Sequence, residues 1–281
     1  MSVTIIADST ADLIPQVAAR VKIVPLTIRF GQQEFVDGVT IDSRKFYEML
    51  VESDELPTTS QATPFDFEGP FTEALKAGED VVCITCSSKL SGTYQSAVIA
   101  ASAYPGRVFV VDSRTIALGS AILTEYALQL ADRGMRAGQI ARELENARDR
   151  VRLVAMLDTL EYLKKGGRIS KTAAVAGSLL NIKPVVCIED GEIRMLGKAR
   201  GSRQGNNLLV QQIRNAGGVD FSMPVLLGYT GISDLLLNKY MEDSAELWKG
   251  NVDKLNVRTV GSVVGTHAGP GAVAVAFFSG E

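Results

Sequence analysis

Short apolar runs rich in valine and isoleucine alternate with longer stretches of helical period along this chain. Residues 3–7 form a strand-like run, 11–18 a helix-like one and 21–26 a second strand. Strand-like runs at 80–85 and 107–111 are each followed by a helix-like segment, at 92–102 and 115–133, and another helix is predicted to start near Phe65. Such alternation predicts a parallel sheet with helices on its faces. A polar helix over 137–150 then leads into the apolar run 153–157, and the domain boundary is placed there. Beyond it, runs at 183–188 and 193–196 flank Asp190-Gly191, a hairpin signal because both turn positions favour positive φ. Further strands are expected at 225–229, 257–264 and 272–278, and helices at 203–216 and 233–248. The expected architecture is α/β in two domains. Residues 1–150 form an N-terminal domain with a mostly parallel sheet and flanking helices. Residues 151–281 form a C-terminal α/β domain containing antiparallel sheet, and a ligand cleft lies between the two.

The chain has 281 residues, 46% of them hydrophobic, enough for one large core or two modest ones. With 29 Lys and Arg against 32 Asp and Glu there is no basic field to draw a phosphate backbone, so nucleic acid is not an expected partner. The first residues lack an export signal, and no apolar run approaches the roughly 18 residues of a membrane span. A cytoplasmic protein without an integral membrane segment is expected. Three cysteines do not make a disulfide framework.

Candidate chemistry collects in three segments. Residues 86–96, CSSKLSGTYQS, make a polar turn between a strand and a helix, where free backbone N–H groups near Gly92 favour an anion. Ser91 adds a hydroxyl donor there, or else caps the helix; both readings stand. Residues 57–64, PTTSQATP, place Thr59 in a second hydroxyl cluster, equally readable as a capped loop. The single histidine, His267, lies in GTHAGPG, whose three glycines and proline predict a loop. Its imidazole is there a donor to an anion, a base or a solvated group.

Ser91, His267 and a strand-end acid such as Asp8 or Asp112 suggest an alternative, a serine esterase, but the sequence around Ser91 lacks the leading glycine of Gly-x-Ser-x-Gly. Asp8, Asp112 and Asp158 otherwise read as caps of the helices that follow them. Cys83 and Cys86 match Cys-x-x-Cys, yet on a strand they face opposite ways and too few ligands remain for a metal, so buried thiols are expected. No phosphate-binding loop or dinucleotide unit is present, and no cofactor is predicted.

At these same segments the chain resembles the DegV family of bacterial fatty-acid-binding proteins. The motifs, in family order, are ADSTADL (7–13), TTSQA (58–62), SKLSGTYQSA (88–97), DTLEYLKKGGRI (158–169), NIKPV (181–185) and GTHAGPG (265–271). The resemblance implies two α/β domains with one long-chain fatty acid buried between them as ligand. Its carboxylate is expected to meet Thr59, Ser91 and Gly92, with His267 nearby as a hydrogen-bonding group. It also implies a carrier with no catalytic residue of its own, which presents the acid to a separate ATP-binding fatty-acid kinase for acyl-phosphate formation. Arg168 and Arg200 match positions expected to face that partner. Residues 172–180, rich in alanine, are expected beside the acyl tunnel.

Overall fold

The computed structural model describes residues 2–169 and 182–280. The alanine-rich stretch 172–180 and the first residue of the 181–185 motif lie outside the described residues. In chain order the elements are β1 (Val3–Asp8), α1 (Pro15–Ala18), β2 (Lys22–Val24), β3 (Thr27–Phe30), β4 (Gln33–Val36), α2 (Ser43–Glu52), β5 (Thr58–Ser60), α3 (Pro64–Lys76), β6 (Asp80–Thr85), α4 (Thr93–Ala101), β7 (Val108–Asp112), α5 (Leu118–Asp132) and α6 (Ala137–Ala147). Then come β8 (Val151–Met156), α7 (Glu161–Lys165), β9 (Ile182–Glu189), β10 (Glu192–Arg200), α8 (Gly201–Asn215), β11 (Leu226–Tyr229), α9 (Leu235–Asp243), α10 (Ala245–Trp248), β12 (Asn256–Thr259), α11 (Ser262–Ala268) and β13 (Val273–Phe278).

A parallel sheet has the order β2-β1-β6-β7. Its inner strands read VTIIAD and DVVCIT because a strand covered on both faces needs apolar side chains on both. A six-stranded sheet, β10-β9-β8-β13-β11-β12, is antiparallel except at β11–β12. A small antiparallel sheet, β4-β3-β5, stands beside them. Helix α5 packs on β1 and β6 and also on β8, β11 and β13. Eleven of its fifteen residues are buried, as a helix covered on several sides requires.

The parallel sheet and the antiparallel content of the second half match expectation. Asp190 and Gly191 take φ of 50° and 80°, the left-handed pair a two-residue hairpin turn demands. Elsewhere the sequence misleads. The helix expected over 11–18 shrinks to α1, because Pro15 takes the first helical position and the residue before it, Ile14, is extended at ψ 153°. The strand expected over 257–264 divides into β12 and the start of α11. The chain turns there, where Val260 O accepts from Tyr47 Oη at 3.1 Å and Gly261 N–H donates to Asp12 Oδ1 at 2.6 Å.

His267 is on the last turn of α11, not in a loop. The glycines that suggested a loop serve the helix. A Cβ on Gly265 would come within 2.6 Å of Tyr47 Oη and 2.8 Å of Phe46 Cε1, and Gly269, at φ 69°, ends the helix just before Pro270. The aspartates are not helix caps either. Asp8 accepts from Thr10 N–H at 2.9 Å and Cys86 N–H at 2.7 Å, and Asp112 accepts from Ser88 Oγ at 2.6 Å and Arg114 N–H at 2.9 Å. Asp158 pairs with Lys183. These carboxylates tie loops to one another at the ends of β1, β7 and β8.

Candidate ligand-binding site

From β1 and β6, which are neighbours, the chain leaves in opposite directions, to the β2 edge and to the β7 edge. In an open parallel sheet a crevice forms outside the strand ends at such a point. Thr10, just after β1, and Cys86, Leu90 and Ser91, just after β6, line a cavity of about 420 Å³ at this place. The opposing wall is one face of three adjacent strands, with Val186 and Ile188 on β9, Leu153 and Ala155 on β8, and Ala274 on β13. Their alternates Val154, Met156, Val273 and Val275 turn to the other face and fill a separate core. Register sets Val186, Ala155 and Ala274 in one row across the sheet, so small side chains keep the middle of the wall low. Val263 and Val264 of α11, and Ile116 and Ala117 at the start of α5, complete an apolar lining.

One end of this cavity is polar and reaches solvent. Thr59 on β5, then Gln61, Ser91, Gly92, Arg168 and His267, all line it. Thr59 Oγ1 and His267 Nε2 are 3.0 Å apart. Burial, reinforced by the positive charge of Arg168, holds the His267 pKa down to about 4, so the ring is neutral at pH 7. His267 Nδ1 is buried without a partner among the described residues. An orphaned N–H is costlier than an orphaned acceptor, so the ring proton belongs on Nε2, donating to Thr59. That leaves the Thr59 hydroxyl proton free to donate into the cavity.

Ser91 Oγ accepts from Thr93 N–H at 3.3 Å and shares a hydrogen bond with Thr93 Oγ1 at 2.9 Å, so it does cap the start of α4 while also facing the cavity. Arg168 donates to Gly166 O at 2.7 Å and to Leu90 O at 3.4 Å, which places its guanidinium across the open end beside the Ser91 loop. Arg200 stands apart. It closes β10, its N–H bonds Gln204 Oε1 at 2.9 Å, and it does not line the cavity.

Two participants, Gln61 and Gly166, escaped sequence reasoning. Gly92 is overlaid so closely by the Gln61 amide that a Cβ there would collide with it, and Gln61 Nε2 is anchored to Ser96 Oγ at 3.1 Å. Gly166 supports the imidazole, since a Cβ would strike His267 Nδ1. Both lie within motifs already noted, but close approach of a side chain to a glycine leaves no spacing signal.

The hydrolase constellation is not assembled. Ser91 bonds Thr93 and His267 bonds Thr59, with no bond between Ser91 and His267 among the described residues. Among the described residues no carboxylate orients Nδ1, and an imidazole held near 4 is a weak base. Cys83 and Cys86 are buried, and burial pushes both thiols well up. Among the described residues no group of three His, Cys, Asp or Glu is placed to hold a metal, and no helix is long and apolar enough to cross a membrane.

The sequence profile of the DegV family, described as an uncharacterised protein family, matches residues 2–280. A DegV domain-containing protein of Caldanaerobacter subterraneus subsp. tengcongensis is 35% identical over 280 residues, covering 98% of each chain. Among solved structures, a DegV family protein from Thermus thermophilus described as fatty-acid binding superposes with a TM-score of 0.89 at 31% identity, covering 99% of this chain and 100% of that one. A stearic-acid-binding protein from Eubacterium ventriosum gives a TM-score of 0.86 at 26% identity, with 98% and 97% covered.

Proposed function

The chain belongs to the DegV family, and on that footing we propose that it is a long-chain fatty-acid carrier. The observation that carries the proposal is an apolar cavity whose solvent end gathers hydroxyls, a neutral imidazole and an arginine. The fatty acid lies along the β9-β8-β13 wall with its carboxylate at that end. Thr59 and Ser91 donate to the carboxylate, the Gly92 backbone approaches it closely, and His267 acts through Thr59. A buried carboxylate left unpaired would cost several kcal/mol, so a set of donors is a physical requirement. The acyl chain adds roughly 0.8 kcal/mol per buried methylene.

The protein works in the cytoplasm without a cofactor and performs no chemistry alone. Its two domains, 1–150 and 151–281, close on the acid and present the carboxylate to a separate ATP-binding kinase. Arg168, exposed at the open end, and Arg200, exposed at the end of β10, face that partner. The likenesses to fatty-acid-binding and stearic-acid-binding proteins support the ligand class. Binding of a labelled long-chain fatty acid to wild type and to the double variant Thr59→Val, Ser91→Ala tests the site. Loss of two hydrogen bonds to a charged group predicts at least about a hundredfold weaker binding. Equal affinity would overturn the assignment of these donors.

A further inference from the structure

Beside the large cavity lies a second pocket of about 190 Å³. Neighbouring residues of three segments face opposite ways. Thr10, Leu26 and Val260 line the large cavity, whereas Ser9 and Ala11, Pro25, and Gly261 line the small one. The two are therefore separate sites divided by a wall about one residue thick.

Asp12, only 4% exposed, lines the small pocket. Its Oδ1 accepts from Gly261 N–H at 2.6 Å, but its Oδ2 is buried with no partner among the described residues. Arg258 lines the same pocket, and its Nε is likewise buried and unpartnered. Asp37, 7% exposed, is a third charged group there. The charge of Arg258 reaches Asp12, yet the two orphaned atoms do not bond each other. Two polar atoms left unsatisfied in one small space cost about 1–3 kcal/mol each and call for an occupant.

We propose that this pocket is a second ligand site, for a small zwitterion such as a free amino acid, its ammonium on Asp12 Oδ2 and its carboxylate on Arg258 Nε. Ser9 and Ser43 add hydroxyls around the polar base. Ile23 and Val39, both exposed, also line the pocket, and a short ligand side chain would lie against them. Burial, reinforced by Asp37, pushes the empty-pocket Asp12 pKa up to about 8. An ammonium group would draw it back down, so binding at pH 7 releases a proton.

Calorimetric titration of the full chain with glycine, alanine and serine, in two buffers of different ionisation enthalpy, tests the site, with methylammonium and acetate as half-ligands. The expected result is saturable binding of at least one amino acid with proton release, and binding weaker by about tenfold or more for either half-ligand. Asp12→Asn retains an oxygen for Gly261 N–H but cannot ionise, and Arg258→Met retains the apolar stem. Each should weaken binding by about tenfold or more, and Asp12→Asn should abolish proton release, while Arg258→Met keeps wild-type fatty-acid content. No saturation by any of the three amino acids at millimolar concentration, a half-ligand binding as tightly as the amino acid, or unchanged binding in both variants would overturn the proposal.

Discussion

Burial keeps His267 uncharged at pH 7. Its ring lies on Gly166 with Nε2 3.0 Å from Thr59 Oγ1, so it fixes which way the threonine hydroxyl points. Gly166→Ala would push the ring off that bond. It should cost about 1–3 kcal/mol of stability by overpacking and weaken fatty-acid binding by about tenfold. Melting and labelled-ligand titration read the two effects, and wild-type affinity in a folded Gly166→Ala variant would count against the positioning role. The same ring has a pH signature. Its folded pKa, about 4, lies below the ordinary value of 6.5, so between those values the unfolded chain binds the proton first. Stability therefore falls as pH drops through 6.5 and the full cost is reached below about 4, an upper bound of roughly 3 kcal/mol. Asp12, shifted the opposite way by burial, masks this in wild type alone. The difference between wild type and His267→Gln, measured by urea unfolding at pH 7 and pH 4, isolates it. A difference independent of pH would refute the buried neutral imidazole.

At the scale of elements, α11 organises the site. Asp12 holds the residue before its first turn and Phe46 and Tyr47 pack on its middle, while Thr59 bonds its last turn. Gly265 permits the close approach to α2, so Gly265→Ala should destabilise the protein by about 1–3 kcal/mol through the clash with Tyr47 and Phe46, whatever it gains in helix propensity. Calorimetric melting checks this, and an unchanged or raised Tm would mean the packing is looser than described. This helix is also where the sequence was least legible. An apolar run over 257–264 followed by glycines and proline carries the local marks of a strand and a loop, and only contact with α2 favours seven helical residues. By contrast β6 and the β9–β10 hairpin were plain, because a continuous apolar run and an Asp-Gly turn are local signals. Residues 27–60 drew no strand or helix from the pattern. β3, β4 and β5 are only three or four residues each, too short for periodicity to register, and α2 hides its apolar stripe among charges.

For the whole molecule, the cavity exists because two sheets and α5 leave a space that residues distant in sequence line together. Thr59, Ser91, Gly92 and His267 were each ambiguous in sequence, and resemblance to a family joined them; the structure places all four on one cavity. Arg168 joins them, whereas Arg200 does not line it. The apolar wall was not foreseen, since Ala155 and Ala274 become neighbours only through strand register. Its alternation, one face to the cavity and one to a core, lets three ordinary strands line an apolar cavity without losing their own packing. The most direct test of the central claim is mass spectrometry of an organic extract of the protein purified without added lipid. The account predicts long-chain fatty acid in stoichiometric amount, released only on denaturation. Protein that yields no fatty acid, and that then fails to take up a labelled one, would contradict it.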